Sequence, residues 1–146
     1  MKNAKIDSIL YTANQPIFAK GFIDISANIT HPNPDKCEGE VITKIYDGTV
    51  NLPTVNKEFK LALKNAINFK GDIVTSLNPE QLVSKVDFFT TLANVFVKKA
   101  VVSISDSSVN SDYQVKIADL NKLYDITNTK MKGAIELNGT VQKTKD

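Results

Sequence analysis

Apolar and polar residues alternate along the first part of the chain. Over residues 17–29 the odd positions read Ile17, Ala19, Gly21, Ile23, Ile25, Ala27 and Ile29, while Lys20, Asp24, Ser26 and Asn28 take even positions. A period of two predicts a half-buried strand. At ~3.3 Å per residue it would run for about 43 Å, with Gly21 as its bend or bulge. Pro32 and Pro34 close it. Val41, Thr43 and Ile45 alternate next, and Asp47-Gly48 leads into Thr49-Val50-Asn51-Leu52. Asp-Gly between two alternating runs predicts a hairpin turn, since a type I′ turn needs positive φ at both central residues.

Residues 57–77 carry two signals. Phe59, Leu61, Leu63, Ile67, Phe69 and Ile73 are all odd, which fits two strands with a turn near Lys64-Asn65. Phe59, Leu63, Ala66 and Ile67 also fit a short helix, and the strand reading is favoured.

A helix is expected over about 79–98. Asn78 is an N-cap type, Pro79 suits the first helical position and Glu80 the first turn. Leu82, Val86, Phe89, Ala93 and Phe96 then fall on one helical face, with Lys98-Lys99 at its end. Phe88, Leu92 and Val95 widen the apolar arc to roughly half the circumference, more than docking on one surface requires. Those three residues are the candidate interface, or the flank of a pocket. Lys85 falls inside the arc and would have to snorkel. Beyond the helix, Val101, Val102 and Ile104 predict a strand, as do Tyr113, Val115 and Ile117. Met131, Gly133, Ile135 and Leu137 predict the last strand, ended by a turn at Asn138-Gly139.

These elements imply an α+β fold, mainly β. The expected form is a curved antiparallel sheet or small barrel of about seven to nine strands, with one long helix packed on it. The arrangement is similar in outline to the tube proteins of phage tails and contractile secretion systems, a likeness of architecture carried by no motif.

The 146 residues fit one domain, 1–146, and the 42% hydrophobic and 23% charged content is that of an ordinary globular chain. The net charge is +2, and all 18 basic residues are Lys. Without Arg there is no fork to read guanine edges, so nucleic acid is not an expected partner. Lys57, Lys60, Lys64 and Lys70, interleaved with Phe59 and Phe69, read as the wet face of an amphipathic element. Cys37 is the single cysteine, so no internal disulfide is expected. No apolar run follows Lys2 and Lys5, and none reaches the length of a spanning helix. The expected location is cytoplasmic, although a trimmed leader would leave the same sequence.

Little catalytic chemistry is legible. His31 is the one histidine, so motifs needing two are excluded. His31, Asp35 and Cys37 share a loop but do not match a zinc spacing, nor a nucleophile with its base and orienting group. Asp106, Ser108, Asn110 and Asp112 resemble the start of an EF-hand loop. The pattern then fails, with Ser111 where Gly is needed and Ile117 where a bidentate Glu belongs. No Gly-rich phosphate loop and no nucleophile elbow is present. The expectation is a non-enzymatic structural or protein-binding subunit, partnered by itself as a homo-oligomer, with no metal and no cofactor. The alternative is a carrier of an apolar small molecule between sheet and helix, with Phe88, Phe89 and Phe96 lining the cavity.

Overall fold

The structure, a computed structural model, describes residues 1–33 and 36–144. Its strands are β1 (Ala4–Lys5), β2 (Ala19–Asn33), β3 (Lys36–Val50), β4 (Asn68–Leu77), β5 (Gln81–Thr90), β6 (Asn94–Ser103), β7 (Val109–Ile117) and β8 (Ile135–Lys143). They form one antiparallel sheet in chain order, with β1 and β8 at its two edges, and the sheet does not close. Three short helices stand beside it: α1 (Ile6–Thr12), α2 (Leu52–Phe59) and α3 (Tyr124–Thr127). The mainly β expectation and the strand number hold at this level.

The long helix over 79–98 is not formed. Its residues make β5, a tight turn and β6. The capping chemistry at Asn78 is used by a hairpin instead. Its Oδ1 accepts from the backbone N–H of Glu80 at 3.0 Å and of Gln81 at 2.9 Å, and Gln81 O accepts from Asn78 N at 3.1 Å. A side chain that caps a helix also closes an Asx turn. The second turn carries no Gly or Pro. Thr90 Oγ1 accepts from the N–H of Leu92 and Ala93 and donates to Ala93 O. The helical spacing of Leu82, Val86, Phe89, Ala93 and Phe96 arises because both faces of these strands carry apolar residues. Lys85 does not snorkel along a helix; it pairs with Asp87 at 3.0 Å. The outline shared with tail-tube proteins rested on that helix and goes with it.

Other boundaries move for similar reasons. Asp47-Gly48 is not a hairpin turn. Asp47 has φ 49°, but β3 runs through it, and the pairing shifts register between Ile45 and Gly48 as a bulge. β2 and β3 pair as far as Asn33 and Lys36, and residues 34–35 lie outside the described residues. Asn138-Gly139 likewise lies inside β8, where Gly139 pairs with Tyr113. Of the strands expected over 57–77, the second is β4, but the first is replaced by the end of α2 and a loop.

No layer among the described residues covers this sheet as a core would require. Among the described residues Leu63, at 8% exposure, is the one buried large apolar residue, and no side chain is fully buried. Leu63 sits in the β3–β4 connection, where its N–H and C=O are both held by the Asn56 amide at 2.9 Å. That connection is pinned to the one between β7 and β8. Asp125 Oδ2 accepts from Lys64 N at 3.0 Å, Asn65 N at 3.1 Å and Asn65 Nδ2 at 2.9 Å. These bonds hold the Asp125 carboxyl below its ordinary pKa, the two backbone N–H donors contributing most.

Candidate functional site on the sheet

Residues directly opposite on paired strands share a face, and successive residues alternate between faces. The register therefore sorts the side chains. One row across seven strands reads Ile23, Ile45, Gly71, Phe88, Val95, Val115 and Leu137. The next on the same face reads Ile25, Thr43, Ile73, Val86, Val97, Tyr113 and Gly139. Beyond it lie Ala27, Val41, Thr75, Ser84, Ala100, Ser111 and Val141, then Ile29, Gly39, Leu77, Leu82, Val102, Val109 and Lys143. Lys143, at the rim, is the one charged residue in the four rows. They span roughly 29 Å across the strands and about 20 Å along them. Apart from Gly71 none of these residues is buried.

The opposite face is built differently. A row there reads Asp24, Lys44, Asp72, Asp87, Phe96, Gln114 and Asn138. Its polar groups bind one another along the surface. Gln114 Nε2 donates to Glu136 Oε1 at 2.6 Å and to Asn138 Oδ1 at 2.9 Å, Thr140 Oγ1 donates to Asp112 at 2.9 Å, and Lys116 faces Glu136 at 3.5 Å. Tyr46 donates to Asn3 and, at 3.2 Å, to Asp24 Oδ1. Desolvation, then the Asp24 hydrogen bond and charge, push the Tyr46 phenol above its ordinary pKa. Phe89 and Phe96 meet edge to face at 5.5 Å, with Lys70 5.8 Å above Phe89. This face mixes charged and polar groups with Ile42, Val74, Val83 and Val101 and with the Phe89–Phe96 pair.

The apolar face is also smooth. Phe88 stacks on Phe69 with ring centroids 5.8 Å apart and lies over Gly71. Tyr113 lies over Gly139 in the same way. Glycine opposite an aromatic lets the ring lie down on the neighbouring strand, covering backbone that has no side chain of its own.

Of the candidate residues Phe88, Leu92 and Val95, the structure brings two together. Phe88 and Val95 are cross-strand partners on the apolar face, and Leu92 sits in the turn beyond them. They belong to strands and a hairpin, not to a helix flank. Phe96 and Phe89 lie on the polar face, away from Phe88, so the three phenylalanines do not line one cavity. The cleft bordered by Gly48, Phe69, Phe89 and Thr91 holds about 560 Å³ and is open to solvent.

The other candidate sites resolve locally. Asp106 closes the β6–β7 turn by accepting from Ser108 N at 2.9 Å, which lowers its pKa, while Asn110 and Asp112 are already in β7. His31 and Cys37 stand on β2 and β3, Cys37 as a free thiol; Asp35 lies outside the described residues. Among the described residues no three His, Cys, Asp or Glu side chains gather as a metal site, and no helix is long and apolar enough to cross a membrane. The sequence missed the extent of the apolar face. Its signal was the alternation in each strand, but summing the strands needs the register. No family model, curated protein or solved structure matches this chain.

Proposed function

We propose that this chain is a non-enzymatic structural subunit that assembles with further copies of itself by burying the apolar sheet face. The observation that carries this reading is an area. The chain exposes 10,049 Å². A compact monomer of 16.1 kDa exposes about 7,400 Å². The surplus of roughly 2,600 Å² is comparable to what one partner contributes to a large obligate homomeric interface, about 1,000–2,500 Å². A sheet with one apolar face is stable when that face meets another layer, and this chain supplies no such layer. A second copy supplies one of matching size and chemistry, because the face carries a single charge, Lys143, and that at its rim.

The carrier reading loses the helix that was to roof its cavity. Of its lining residues Phe88, Phe89 and Phe96, Phe88 alone lies on the apolar face, where it stands opposite Val95.

Native mass spectrometry and sedimentation equilibrium across a dilution series test the proposal. The unmodified chain is expected as a discrete oligomer. Val97→Lys, at the centre of the face, is expected to shift it to smaller species while the far-ultraviolet β signal persists. A monomer at every concentration overturns the reading. So does a monomer that floats with phosphatidylcholine vesicles, which would give the face to lipid.

A further inference from the structure

The two edges of the sheet are finished in opposite ways. On β2, residues 1–5 cover the outer edge from Phe22 to Ile25. Ala4 and Lys5 pair with Ile23 and Phe22, and the Met1 and Ile25 backbones exchange hydrogen bonds of 2.8 Å. The pairings within the sheet from β2 to β4 and from β5 to β7 are also bulged. On the other side, β8 has one neighbour among the described residues, β7, and is paired with it over nine residues with no shift of register. It contains no proline, and its lysine is its last residue. Bulges, prolines and central lysines are the usual means of blocking an edge, and β8 uses none of them. Ile135, Leu137 and Val141 stand 41%, 55% and 51% exposed along it.

The sequence of this edge is complementary to itself. Laid antiparallel on a second copy about Gly139, Leu137 falls opposite Val141 on the apolar face, twice. On the polar face Glu136 falls opposite Gln142, and Asn138 opposite Thr140. No like charges oppose one another; at the two ends Ile135 falls opposite Lys143, the one unmatched pair. Cross-strand pairs of this kind are the unit of sheet stability, and a self-matching patch is what a two-fold contact requires. Nine unshifted pairs with β7 hold β8 in strand geometry, so the edge is already shaped to pair.

We infer that β8 pairs antiparallel with β8 of a second copy across a two-fold axis at Gly139, joining two sheets into one. The inference rests on the self-assembly reading and specifies a contact that the face does not make. In the joined sheet both apolar faces lie on the same side, so edge pairing doubles the surface that face packing then buries.

Cysteine cross-linking in the full chain tests the register. In a Cys37→Ser background, Asn138→Cys and Thr140→Cys place thiols on directly opposed residues, whose α-carbons in an antiparallel pair lie about 4.5–5.5 Å apart, within disulfide reach. A mixture of the two proteins is expected to give a covalent dimer on mild oxidation that neither gives alone. Asn138→Lys together with Thr140→Lys, which sets lysines opposite one another on the polar face and leaves the apolar face unchanged, is expected to halve the oligomer. If the oligomer persists with no cross-link specific to the mixture, edge pairing is overturned and face assembly stands. If the chain is monomeric with no cross-link, both fall.

Discussion

The ring of Phe88 lies across the α-carbon of Gly71 on the neighbouring strand, so closely that a Cβ at 71 would meet ring atom Cδ2 at 2.6 Å. The same ring stacks on Phe69 and pairs with Val95. Gly71→Ala must therefore lift the ring or bend β4. We expect it to destabilise the chain by about 1–3 kcal/mol, the range for an overpacked site. Urea unfolding checks this. Phe88→Leu in the same chain should recover part of the loss, because the two residues are in contact and their effects do not add.

Thr90 holds the β5–β6 turn with one hydroxyl. Thr90→Val keeps the shape and removes those bonds. The expected cost is about 1–2 kcal/mol, with Thr90→Ser close to the parent. Amide exchange at Leu92 and Ala93 should quicken in the Val variant and not in the Ser variant.

Asp125 joins two connections that the sheet itself keeps apart. Its folded pKa is depressed, so its contribution is present above the unfolded carboxylate value and is lost as pH falls through the folded one. We expect the Lys64 and Asn65 amide resonances to titrate together, with a midpoint below that of an ordinary Asp. Asp125→Asn should remove that titration and speed tryptic cleavage after Lys64 at neutral pH. Unchanged cleavage in the Asn variant would show that the carboxylate is not what holds the two connections.

The misreadings share a cause. The expectations at Asn78, Asp47-Gly48 and Asn138-Gly139 rest on turn and cap chemistry, which is local. Asn78 does serve a turn, between strands and not before a helix. Asp47-Gly48 serves a bulge within β3. Gly139 is in a strand because Tyr113 from β7 covers it. The residues 82–96 fit a helix as well as two strands, since apolar side chains on both faces of a hairpin also return every three to four positions. Phe88 and Val95, expected on the flank of a helix, stand instead as cross-strand partners in β5 and β6.

What the sequence determined by itself was the alternation of side chains, hence the mainly β class, and a chemical inventory poor in catalytic groups. Those follow from the period of two in an extended backbone and from residue type alone. The tertiary structure decided which alternating runs stand beside one another and in what register. Only that pairing aligns the apolar positions of seven strands into one face, leaves it without a covering layer, and leaves β8 as the open edge. A register shifted by a single residue would send every one of those side chains to the other face, and no single strand carries that information.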